Sequence, residues 1–198
     1  MQISAEKSAA LHRETLWNLP NGITLGRIVL TPFLLALPWY PDFSWNVIMG
    51  FAFLAISLTD LLDGYLARRH GLESKLGKLL DPIADKLLVM TAFIMLVAVG
   101  RIPYWALSLV IAILGREFAV TGLRAMAGSE GVVIGASWLG KWKTGFQIAA
   151  LTSLLIHESL FGLPAHEIGL GLLVIATALT LLSGYEYMRS YFSTRHSS

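Results

Sequence analysis

Six long apolar segments, at about 22–40, 44–67, 82–100, 103–125, 144–162 and 168–188, take up most of this 198-residue chain. Each is close to the roughly 20 residues that a helix needs to cross the hydrocarbon core of a bilayer. Backbone groups in lipid must be satisfied within the chain, which fits helices. Several blocks are rich in Leu and Ala and lack the alternation of a barrel strand. The chain is 55% hydrophobic, with a mean hydropathy of +0.64 and only 14% charged residues. A soluble domain would carry more charge on its surface. The expected fold is therefore an all-α integral membrane domain with six transmembrane helices. It occupies 1–198 as one domain: a juxtamembrane segment over 1–17, a bundle over 18–192 and a tail over 193–198.

The opening segment is polar and lacks the apolar run of a secretory signal. Leu11, Leu16 and Trp17 suit a short interfacial helix, since Trp favours the headgroup level; a polar tail is the alternative. With no cysteine, disulfides and thiolate ligands are excluded. Six spans put both termini on one side. All the Lys and Arg residues fall on that side except Arg101. Positive residues favour the cytoplasmic side, so both termini are expected in the cytoplasm of a bacterial inner membrane. No basic-aromatic interleaving points to nucleic acid.

Every aspartate but Asp42 lies between 60 and 85. Carboxylates at a membrane boundary are costly and need a partner or a task. On a helix, Asp60, Asp63, Gly64 and Ala67 are spaced i, i+3, i+4, i+7 and share a face. Asp81 and Asp85 are four apart and share a face of the next helix, with Pro82 expected in its first turn. A hairpin of these two spans would bring the pairs together. Four carboxylates repel one another unless cations neutralise them. All-oxygen ligation suits Mg²⁺ or Mn²⁺, and two ions bridged by carboxylates are a common arrangement for displacement at phosphorus. Arg68, one turn beyond, suits a phosphate. Helix caps and snorkelling charges would explain any one aspartate, but poorly explain four with matching Gly, Ala and Arg.

These residues spell D-x2-D-G-x2-A-R-x8-G-x3-D-x3-D, with Gly77 as the middle glycine. The pattern resembles the signature of the CDP-alcohol phosphotransferase family at every fixed position. The resemblance implies a six-span membrane enzyme, usually a homodimer, that moves a phosphatidyl-type group from a CDP-linked donor to an alcohol and releases CMP. It implies metal ligation by Asp60, Asp63, Asp81 and Asp85, with Asp85 also the base for the acceptor hydroxyl. Gly64, Ala67 and Arg68 match positions that approach the cytidine diphosphate, and Ser74 a further nucleotide contact. Asn18-Leu19-Pro20-Asn21 with Thr24 resembles a segment that closes over the nucleotide.

The acceptor is read from other residues. Arg116, Arg124 and Lys141 could converge at the cytoplasmic end, and three cations there want an anion. Positive-inside anchoring is the plain alternative. The Gly115-Arg116-Glu117-Phe118 and Leu139-Gly140-Lys141-Trp142-Lys143 stretches resemble the branch of the family that takes sn-glycerol 3-phosphate. CDP-diacylglycerol would be the donor, with its acyl chains among the membrane lipids. Inositol phosphate, serine and phosphatidylglycerol remain as other acceptors. A pyrophosphate-binding prenyltransferase and a carboxylate-based cation transporter remain as other functions. The Gly- and Ser-rich stretch 126–143 is expected as a mobile loop. His157-Glu158 and His166-Glu167 lack His-Glu-x-x-His spacing and read as polar loop residues. Gly169 and Gly171 would permit close helix packing.

Overall fold

A computed structural model describes residues 28, 31–34, 42–70, 75–130 and 138–196, with side chains described except at 60–70, 75–82 and 194–196. Five long helices dominate: α1 (Phe43–His70), α2 (Lys75–Ala98), α3 (Leu107–Ser129), α4 (Trp138–Ile156) and α5 (Ala165–His196). A 3-10 turn, Tyr104–Ala106, leads into α3. These helices cover the second to sixth apolar segments. The N-terminal helix and most of the first span lie outside the described residues.

The helix ends differ from the sequence reading. α2 starts at Lys75, so Pro82 lies well inside it rather than in its first turn. The charged run Lys75–Asp81 looks like a loop by hydropathy, yet Lys and Leu are good helix formers and the helix extends through them. α3 continues to Ser129 and α4 begins at Trp138, so helix covers both flanks of the expected Gly-Ser loop. α4 ends at Ile156, short of the expected 162. A two-residue hairpin follows, β1 (Ser159–Leu160) antiparallel to β2 (Leu163–Pro164), with Ser159 opposite Pro164. Its turn uses Gly162 at φ 79°, a conformation that costs glycine little.

α4 is the middle of the bundle and packs against α1, α2 and α5, while α3 packs on α5. Its buried stripe, Leu151, Leu154 and Leu155, meets Met49 and Phe53 of α1, Phe93 and Leu96 of α2, and Leu173 of α5 in one core. Glycines bring these helices close. A Cβ at Gly50 would sit 2.5 Å from Ile156 Cγ1, and one at Gly169 would sit 2.8 Å from Leu154 Cγ. Gly171 faces open space, so only Gly169 of the two serves close packing.

Among the described residues, Tyr104–Ser129 and Ala165–Ser193 are each long and apolar enough to cross a membrane, and Phe43–Thr59 is a shorter apolar stretch. Only 22% of the first of these windows and 39% of the second is buried within the chain. A core helix of a soluble protein would bury most of its apolar residues.

At one end of the bundle a buried polar cluster ties the helices together. Arg101 is 7% exposed and donates to the Leu155 carbonyl, at the end of α4, and to Asn46 Oδ1 of α1 at 2.6 Å. Asn46 in turn donates to Glu158 at 3.3 Å. The His157 and His166 rings meet there with their Nδ1 atoms 3.1 Å apart. His157 and His166 thus tie the end of α4 to the start of α5, and Glu158 joins Asn46 of α1.

Candidate active site

At the other end, α1 to α4 line a partly open cavity. Its wall includes Ser57 from α1, Asp85 and Lys86 from α2, Glu117 and Phe118 from α3, and Lys143, Thr144 and Gln147 from α4. Asp85 is exposed where it lines the cavity.

The aspartate pattern lies on α1 and α2, two of the helices that line this cavity. Asp60, Asp63, Gly64, Ala67 and Arg68 lie in the C-terminal half of α1, and Asp81 lies one turn before Asp85 on α2. Positions 57, 60 and 64 form one stripe of α1, and Ser57 on that stripe lines the cavity. Among the aspartates of the signature, side-chain placement is described for Asp85 alone. Asn21, Thr24 and Ser74 lie outside the described residues. The donor set consists of carboxylates at helical spacing, one of them opening into the cavity. It therefore fits a hard divalent cation better than a soft one.

The basic cluster differs from the sequence reading. Arg116, Arg124 and Lys141 are not among the cavity-lining residues. Arg116 is largely buried between α3 and α5, donating to Ser183 Oγ at 2.9 Å and to Glu117 Oε1 at 3.2 Å. Gly184 makes room for it: a Cβ there would sit 2.9 Å from Arg116 Cγ. Arg124 is exposed and lies 5.7 Å from the centre of the Tyr187 ring, a cation-π distance. Lys141 is exposed on the outside of α4.

Lys143, two residues further, takes the place expected for Lys141. It is buried, lines the cavity with Asp85, and donates to the same Glu117 Oε1 that Arg116 reaches. The signal was present in the sequence. Lys143, Gln147, Leu151 and Leu154 fall on one helical stripe, all buried, and Lys141 falls off it. Glu117, named in the sequence only as part of the Gly115–Phe118 stretch, joins Arg116 and Lys143 through one oxygen.

A family model described as CDP-alcohol phosphatidyltransferase matches residues 17–182. The chain is 41% identical over 185 residues to the CDP-diacylglycerol--glycerol-3-phosphate 3-phosphatidyltransferase of Bacillus subtilis (strain 168), spanning 87% of this chain and 94% of that one. It is 39% identical over 186 residues to the Arabidopsis thaliana protein named CDP-diacylglycerol--glycerol-3-phosphate 3-phosphatidyltransferase 2, spanning 86% and 78%. It is also 35% identical over 194 residues to a cardiolipin synthase (CMP-forming) of Oryza sativa subsp. japonica, spanning 88% and 57%. The signature aspartates, glycines and arginine all fall within the matched region, and so do the cavity residues. The chain belongs to the CDP-alcohol phosphatidyltransferase family.

Proposed function

We propose that this chain transfers the phosphatidyl group of CDP-diacylglycerol to sn-glycerol 3-phosphate, giving phosphatidylglycerophosphate and CMP. The observation that carries the acceptor half is the cavity wall, where Lys143 stands with Asp85. A buried cation beside a candidate base suits an alcohol that carries its own phosphate. The names of the Bacillus and Arabidopsis relatives point the same way.

Asp85 accepts the proton of the acceptor's 1-hydroxyl. The freed oxygen attacks the phosphorus that bears the diacylglycerol, and the bond from that phosphorus to the CMP oxygen breaks. Lys143 holds the acceptor's phosphate, with Arg116 contributing through the shared Glu117. Arg68 neutralises charge on the departing nucleotide, and Gly64 and Ala67 leave space for it. Asn21, Thr24 and Ser74 complete the nucleotide side. Mg²⁺ or Mn²⁺, as two ions held by Asp60, Asp63, Asp81 and Asp85, would bind the pyrophosphate oxygens and stabilise the leaving charge.

The largely exposed apolar windows of α3 and α5 support a bilayer setting. In this reading the chain has six spans in a bacterial inner membrane, both termini and the cavity face the cytoplasm, and two copies form a homodimer. The test is CMP release by the purified protein with CDP-diacylglycerol and Mg²⁺ or Mn²⁺. Glycerol 3-phosphate is compared with inositol phosphate, serine and phosphatidylglycerol. Glycerol 3-phosphate should be preferred. Preference for phosphatidylglycerol would move the chain toward the activity named for its rice relative, and no CMP with any acceptor would remove the enzyme reading.

A further inference from the structure

The cavity holds one carboxylate that the transfer itself leaves without a task. Glu117 Oε1 accepts from Arg116 Nη1 at 3.2 Å and from Lys143 Nζ, so a single oxygen gathers two cations from two helices. The three side chains differ in access: Lys143 is 10% exposed and Arg116 11%, while Glu117 is 23% exposed. Lys143 and Glu117 line the cavity, whereas Arg116 reaches it only through Glu117 and is held from behind by Ser183.

Two cations this close repel, and a buried ammonium is costly without a counter-charge. The lysine stem is flexible, so an unpaired Lys143 would have both the reason and the freedom to leave the wall. Within the trio one carboxylate stands against two cations, and the same wall adds Asp85 and Lys86, one charge of each sign, so the lining keeps a net positive charge for a phosphate dianion.

We infer that Glu117 is a positioning residue: it fixes Lys143 at the cavity wall, tied back to Arg116, so that Lys143 meets the acceptor's phosphate in a preformed place. This rests on the proposed phosphorylated acceptor. It assigns acceptor affinity, and not donor affinity, to a residue of the same charge sign as the ligand.

The test is steady-state CMP release by full-length wild type, E117Q and E117D with CDP-diacylglycerol and glycerol 3-phosphate varied in turn. E117Q keeps the shape and removes the charge. Its KM for glycerol 3-phosphate should rise at least tenfold, with kcat within threefold and the KM for CDP-diacylglycerol within twofold. E117D keeps the charge on a shorter arm and should give an intermediate acceptor KM. It also carries the test alone if E117Q does not fold. An unchanged acceptor KM in either variant overturns the inference, and so does a loss shared equally by both substrates together with a lowered melting temperature. Wild type that makes CMP with a different alcohol and not with glycerol 3-phosphate would instead refute the proposed function.

Discussion

Replacing Lys143 with Gln should weaken acceptor use far more than replacing Lys141 with Gln. The magnitude follows from where the two ammonium groups sit. Lys143 has a side chain only 10% exposed and lines the cavity with Asp85, while Lys141 is exposed and outside it. A unit charge about 4 Å from a phosphate charge is worth about 4 kcal/mol at the effective dielectric of a protein surface. Gln retains a hydrogen bond and the cavity is partly open, which reduces the loss to about 2–3 kcal/mol. That corresponds to roughly a 30- to 150-fold fall in kcat/KM for glycerol 3-phosphate. An exposed charge contributes about 0–1 kcal/mol, so K141Q should cost no more than about fivefold. The assay is CMP release with glycerol 3-phosphate varied at saturating CDP-diacylglycerol, with the donor KM as control. A larger loss in K141Q than in K143Q would refute the assignment, and so would a K143Q loss below about fivefold.

Other outcomes test the frame around the site. G169A should destabilise the purified protein by about 1–3 kcal/mol, because its new Cβ meets Leu154, while G171A should melt like wild type. Equal melting of the two would show that α4 and α5 are not in close contact there. R101Q should cost about 2–3 kcal/mol by weakening the bonds to Leu155 and Asn46, lowering the melting temperature by about 4–12 °C. Burial, the Arg101 charge and His166 hold His157 below its ordinary value, against the opposing pull of Glu158 and Glu167. A depressed histidine gives stability that is whole above its unfolded value of about 6.5 and is lost as the pH falls through the folded value. Melting temperature should therefore drop on acidification below about pH 6.5, and less so in H157N, whose Asn tolerates the positive φ of 66° found here. Parallel curves for the two proteins would refute this.

Hydropathy located the cores of the five described helices because lipid and packed interior both select apolar side chains. It could not locate their ends. Lys75–Asp81 is charged yet helical, since a helix can leave the apolar layer without stopping. The stop at Ile156 is set by a left-handed His157 and a hairpin, which hydropathy does not register. The aspartate pattern was legible because its spacing alone puts the residues on shared faces, and Asp85 opens into the cavity. The choice between Lys141 and Lys143 turns on the rotational phase of α4, which is fixed by Leu151 and Leu154 in the core. Arg116 is held behind Glu117 by Ser183, a partner 67 residues distant.

Arg101 stands out in the chain as the one basic residue beyond the membrane in the proposed orientation. Folding removes it from that side's surface. Its guanidinium is spent on a carbonyl, an amide oxygen and the field of Glu158. Seen from the periplasm in that orientation, Arg101 would offer no free guanidinium to a headgroup or a soluble anion.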